Sequence, residues 1–131
     1  MIKYLLFILF LTNLSWVQAQ NCQIPKDGKY KIEYDSVFQN YPKHNFEIKG
    51  NLYSTFGNDV KKDFEIIKIT DCSFRLENKE IIDESKLTDL QKMLIKQQPY
   101  FEIHKVEGNV YYFICRIDLH VQCYSGKFIR E

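Results

Sequence analysis

From Tyr111 to Cys123 the chain alternates. Tyr111, Phe113, Cys115, Ile117, Leu119, Val121 and Cys123 stand at every second position, and Arg116, Asp118, His120 and Gln122 are polar partners between them. A spacing of two sends successive side chains to opposite faces of an extended strand, so this stretch predicts a half-buried sheet. Tyr112 and Ile114 make the other face apolar too, which predicts a cover over that spot. Shorter runs repeat the pattern: Tyr30, Ile32 and Tyr34 against Lys29, Lys31 and Glu33; Phe46 and Ile48 against Glu47 and Lys49; Phe74 and Leu76 against Ser73, Arg75 and Glu77. Between Val60 and Thr70 the phase slips, with Phe64 and Ile66 on one parity and Ile67 and Ile69 on the other. Either a β-bulge near Ile66–Ile67 or a strand buried on both faces would reconcile them.

Turn signals separate these segments. Gly50-Asn51, Gly57-Asn58 and Gly108-Asn109 each lie between apolar or alternating runs. Gly-Asn supplies a positive φ at the first central position of a tight hairpin turn, and three such pairs predict a meander of antiparallel hairpins. Tyr41-Pro42-Lys43 marks an irregular surface loop. One segment has helical spacing instead. Leu87, Leu90, Met93, Leu94 and Gln97 form a stripe, Thr88 and Gln91 match a capping box, and Pro99 ends the run. The expected fold is mainly β: an antiparallel meander closing into a small barrel of about eight strands, with one short helix as lid or plug. That helix is also a candidate cover for Tyr112 and Ile114.

The N-terminus changes the chemistry expected of the cysteines. Lys3, the apolar run Tyr4 to Leu11 and the small-residue pattern Val17-Gln18-Ala19 have the layout of a secretory signal peptide, residues 1–19. The run is too short for a membrane span, which needs about 20 apolar residues. Gln20 and Asn21 precede Cys22, so the small residue that a lipobox requires is missing and a soluble secreted or periplasmic protein is expected. Residues 20–131 then form one disulfide-bonded domain, expected to be a monomer. Lys3 leaves with the leader, so 17 of the 18 basic residues remain against 17 acidic ones. A neutral, mixed surface gives no electrostatic reason to bind nucleic acid or anionic lipid.

In an oxidising compartment Cys22, Cys72, Cys115 and Cys123 are all expected in disulfides. Four cysteines allow three pairings, and sequence separation alone does not choose among them. Of these, Cys22–Cys72 with Cys115–Cys123 is the pairing favoured. On the chain-entropy model its first bridge closes about 50 residues, worth roughly 4 kcal/mol, and its second about nine, worth roughly 2.6 kcal/mol. Cys115 and Cys123 would face each other in a hairpin centred on Leu119. Against this, Arg116 to Gln122 holds no Gly, Pro or Asn to turn the chain. In a straight strand the two sulfurs would lie about 26 Å apart and could not bond.

Catalytic patterns are weak. His44, His104 and His120 have no companion at metal-ligand spacing, and no serine lies in a G-x-S-x-G or S-x-x-K context. Asp118 and His120 share a strand parity and are the one candidate couple; the plain reading is an exposed polar face. No catalytic role, cofactor or metal is expected. The aromatic load points instead to binding. Tyr30, Tyr34, Phe46, Phe56, Phe74, Phe101, Phe113 and Phe128 are candidates for the barrel interior, either lining a ligand cavity or filling the core.

Cys22 followed by Gly28-Lys29-Tyr30, the segment Asp71-Cys72-Ser73-Phe74-Arg75-Leu76, the turn Glu107-Gly108-Asn109-Val110-Tyr111 and the closing Gly126-Lys127-Phe128-Ile129-Arg130 carry a resemblance. Together they resemble small exported bacterial proteins of lipocalin-like, or calycin-like, character. The early Gly-x-Trp motif of true lipocalins is missing here. The resemblance implies a compact antiparallel barrel in which Cys22 is tied to Cys72. The functional expectation is a non-catalytic binding protein for a small apolar ligand. The alternative is a protein-interaction or inhibitor module with a filled core.

Overall fold

A computed structural model describes residues 22–57, 59–78, 83–96 and 98–131. The expected leader, 1–19, lies outside the described residues. Eight strands run in chain order: β1 (Gly28–Tyr34), β2 (Asn45–Lys49), β3 (Leu52–Gly57), β4 (Val60–Thr70), β5 (Ser73–Asn78), β6 (Tyr100–Glu107), β7 (Val110–Arg116) and β8 (Gln122–Arg130). Each pairs antiparallel with its neighbour in sequence, and β8 pairs with β1 to close the barrel. The expected architecture is thus the observed one.

The hairpins follow the turn chemistry. Gly50 and Gly108 both have φ of 58°, and each sits in a two-residue loop, Lys49↔Leu52 and Glu107↔Val110. At the third Gly-Asn pair the positive φ belongs to Asp59 instead. These turns define two ends. The lower end carries the tight turns at 50–51, 71–72 and 108–109. The upper end carries the connections 35–44 and 117–121, the turn between Gly57 and Val60, and the start and end of the segment that joins β5 to β6.

Strand alternation fills the centre. Tyr30, Phe46, Ile48, Phe74, Ile103, Phe113, Cys115 and Phe128 are almost wholly buried, with Ile32, Tyr34, Tyr53 and Tyr111 beside them. At Gly126 β8 lies close against β1; an added Cβ would run into the Glu33 carbonyl oxygen. In β4 the register runs unbroken through Ile66 and Ile67, and the bulge comes later, between Lys68 and Thr70. Phe64 and Ile66 pack on the core, whereas Ile69 is exposed. The phase slip therefore reflects apolar residues on the outer wall; neither the bulge expected at Ile66–Ile67 nor a doubly buried strand explains it.

The N-terminal arm closes the lower end. Its Ile24 packs against the core, its Ile24 N–H donates to the Asp71 carbonyl, and Tyr30 donates its hydroxyl proton to the Lys26 carbonyl. The Cys22–Cys72 disulfide pins it there.

Helix α1 (Asp89–Lys96) has the capping box expected of it. Thr88 N–H donates to Gln91 Oε1, and Gln91 N–H donates to Thr88 Oγ1. Leu90 and Met93 nonetheless remain exposed. Tyr112 is half covered from its own sheet, with the Lys105 ammonium 5.2 Å from its ring and His104 alongside.

Candidate functional site

Seven of the eight aromatic residues predicted for the interior are there. Tyr30, Tyr34, Phe46, Phe74, Phe113 and Phe128 are buried, and Phe101 packs against them half-buried. They fill the lumen. The Phe128 ring lies 4.1 Å from Phe113, 5.2 Å from Phe46 and 5.7 Å from Phe101. Phe46 stands on β2 and Phe101 on β6, four strands away around the ring, so Phe128 bridges opposite walls. Phe101 in turn stacks on Phe74 at 5.3 Å.

Phe56 is the exception and corrects the prediction. It is 45% exposed, paired with Asn45 on the outer face, while its neighbour Thr55 sits opposite the buried Phe46. Tyr53 claims the inward parity of β3 because it lies opposite the buried Ile48. Residues three apart on a strand cannot share a face.

Above the phenylalanines is a layer of tyrosines, of which Tyr34 was predicted and Tyr41, Tyr53 and Tyr124 were not. Tyr34 and Tyr124 meet edge-on at 5.4 Å, and Tyr41 from the 35–44 connection covers both at 5.9 and 5.3 Å, with Phe38 beside it. Tyr34 donates to the Pro42 carbonyl, holding this connection over the mouth. Burial raises the phenols of Tyr34, Tyr53 and Tyr124 above their ordinary range, and in Tyr53 the nearby Tyr124 and Tyr34 add to it. His44 Nε2 and the Tyr53 hydroxyl share a hydrogen bond of 3.3 Å. Burial holds this imidazole below its usual value, opposed by a hydrogen bond to the Pro42 carbonyl. The register across Gly50-Asn51, which puts Tyr53 opposite Ile48, was the available signal for Tyr53.

The cysteines divide. Cys22 and Cys72 are bonded, with Cα atoms 5.2 Å apart. Cys115 and Cys123 are free thiols, which corrects the expectation of a second disulfide. The ladder shifts register between Cys115 and Arg116, so the two cysteines are not a directly opposed pair. Cys115 lies opposite Tyr124, Arg116 lies opposite Gln122, and Cys123 is the extra residue of a bulge. The bulge still leaves the two thiols in hydrogen-bond reach. Burial pushes the Cys115 thiol up, and its contact with Cys123 pushes the same way.

The hairpin centred on Leu119 exists, and Asp118 makes it. Asp118 Oδ1 accepts the N–H groups of His120 and Val121, at 2.7 and 2.8 Å. This Asx turn replaces the missing glycine. Asp118 and His120 therefore belong to a turn, not to a strand face. Among the described residues no cluster of three or more His, Cys, Asp or Glu side chains could hold a metal ion.

Two surface features remain. The first is apolar. Val37, Val60, Ile117, Leu119 and Val121 are exposed on the upper connections, and Leu90 and Met93 are exposed on α1, in the segment that joins the upper ends of β5 and β6. Leu119 and Val37, at 79% and 84%, are almost bare. The second is a groove of about 780 Å³ on the outer wall, where β1 outruns β2; Lys31, Glu33, Lys43, His44, Asn45 and Phe56 line it.

No protein-family profile matches the chain, and no characterised protein or solved structure matches it either. Among the described residues no helix is long and apolar enough to cross a membrane.

Proposed function

We propose that this is an exported, non-catalytic binding protein that engages a protein partner through the apolar rim of its upper end. Removal of leader 1–19 and kinship with lipocalin-like barrels belong to the same proposal. The observation that carries it is the contrast between lumen and rim. Phe128 reaches Phe46 and Phe101 on opposite walls, which leaves no chamber for a lipophile at that level. The three described upper connections and α1 each expose at least one large apolar side chain. Concentrated apolar exposure at one end of a small domain is the usual mark of an interaction site. The Cys22–Cys72 bond suits an oxidising compartment.

The test joins two measurements. A fatty acid and an apolar fluorescent dye titrated into the native protein should give no saturable binding. A photo-crosslinker at position 119, introduced in the exporting cell, should yield one discrete adduct, and the same group at Ile69 on the outer wall should not. Saturable lipophile binding would favour a cavity binder. Equal labelling at 119 and 69 would remove the rim as a specific surface.

A further inference from the structure

Two thiols stand at the foot of the 117–121 hairpin. β7 ends at Arg116 and β8 begins at Gln122, and these two residues form the last rung of their ladder. One rung deeper, Cys115 lies opposite Tyr124, and Cys123 is the extra residue between the rungs. A bulge sets two residues of one strand against one of the other and re-aims the extra side chain. Here it brings Cys123 alongside Cys115, with the two side chains in hydrogen-bond reach of each other.

Their surroundings give the two sulfurs different roles. Cys115 is 1% exposed, and burial holds its thiol protonated. The side chains that act on it, Cys123, Tyr124 and Tyr34, carry no positive charge that could draw off its proton. Cys123 is only half-buried. A small reagent can therefore reach Cys123 from solvent but not Cys115.

The hairpin also holds its ends together without a covalent bond. Ile117 N–H donates to the Val121 carbonyl at 2.9 Å, and Asp118 Oδ1 accepts from His120 and Val121 across the turn. Groups held side by side in this way react far faster than the same groups free in solution.

We propose that Cys115 and Cys123 form a thiol pair that exchanges with small aliphatic disulfides, Cys123 as the attacking group and Cys115 as the resolving one. At rest the pair is the dithiol described above. The Cys123 thiolate attacks one sulfur of the small disulfide, breaks its S–S bond and releases one sulfur. Cys115 then attacks the Cys123 sulfur of the mixed disulfide and releases the other. Each cysteine gives a proton to water, and each leaving sulfur takes one up. Two protein S–H bonds and one external S–S bond become one protein S–S bond and two external S–H bonds. The protein pair loses two electrons and the small disulfide gains them. The new bond ties the two ends of the hairpin that carries Ile117, Leu119 and Val121. The exchange itself stands or falls independently of any partner on the rim.

The experiment uses the mature chain with Cys22–Cys72 intact and the other two thiols reduced. It is incubated natively with oxidised glutathione, quenched in acid and read by peptide mass mapping. The expected product is a Cys115–Cys123 linked peptide that retains no glutathione. In Cys115→Ala, which keeps the buried site apolar, one glutathione should stay on Cys123. In Cys123→Ala, Cys115 should react at least about a hundredfold more slowly than Cys123 does in the first variant. Circular dichroism checks the fold of both variants, and the parent arm needs no substitution. Oxidation of the parent should slow amide exchange at His120 and Val121 by at least about tenfold. A parent that stays unreacted in its native state, or links the two cysteines only in urea, would overturn the proposal. So would glutathione that remains on Cys123 of the parent, hairpin amides that exchange as before, or folded variants whose single thiols react equally fast.

Discussion

Phe128→Ala would remove the ring that joins the two walls of the barrel. Phe128 is 1% exposed and touches Phe46, Phe101 and Phe113. Truncating a buried Phe to Ala costs about 3–5 kcal/mol through lost transfer free energy and the cavity left behind. Ring–ring geometry adds about 0.5–1.5 kcal/mol per pair beyond area. With three such pairs lost, the upper part of the range applies, about 4–5 kcal/mol. Small domains hold only about 5–15 kcal/mol in all, so the variant should be close to unfolding at 25 °C. Phe56→Ala is the internal control: the same residue type on the outer wall, where a change within about 0.5 kcal/mol is expected. Urea titrations followed by circular dichroism and tyrosine fluorescence give both values, because the expected mature chain carries no tryptophan. Benzene should raise the midpoint of Phe128→Ala, by filling the new apolar cavity, and leave the parent unmoved. A loss below about 1 kcal/mol at Phe128, or an equal loss at Phe56, would refute the filled-lumen argument.

Other consequences are equally open to measurement. Replacing Cys22 and Cys72 together by serine frees a sequence separation of 50 residues and should lower unfolding free energy by about 4 kcal/mol, read from urea midpoints. Gly126→Ala should destabilise by about 1–3 kcal/mol, since the new methyl meets β1 backbone; an unchanged melting point would contradict that close approach. His44 is held neutral in the fold below its ordinary 6.5, so the unfolded chain takes up a proton first. Stability is therefore complete above about pH 6.5 and declines as pH falls through and below that value, and His44→Gln should flatten the decline. Cys115 is buried with its thiol held protonated, so iodoacetamide should label it slowly in the native protein and rapidly in urea.

Legibility of the fold in the sequence was good where one rule acted alone. Strict alternation located β7, glycine at the first turn position located two hairpins, and Thr88 with Gln91 located the start of α1. It failed where two local preferences competed. Phe56 and Tyr53 differ in parity, and only the register with β2 decides which of them is buried. Arg116 to Gln122 carried a turn signal in Asp118, a side chain that folds back on its own backbone, but a search for glycine and proline passes over it. The bulge at Cys123 was hidden for the same reason. It becomes visible only when the ladder from Val110↔Ile129 is counted against the turn at Leu119. The tyrosine layer over the mouth depends on a connection folding back across the barrel, and no periodicity encodes that.

Ring closure by β8 has a consequence for timing. The strand that completes the circle is the last of the eight, and Phe128, the hub of the interior, lies on it. A growing or truncated chain therefore lacks both the final ladder and the central ring. Its hairpins join sequence neighbours, but the ring waits on β8 meeting β1, a contact between distant segments that forms slowly. The architecture itself thus leaves the barrel open until the chain is nearly complete.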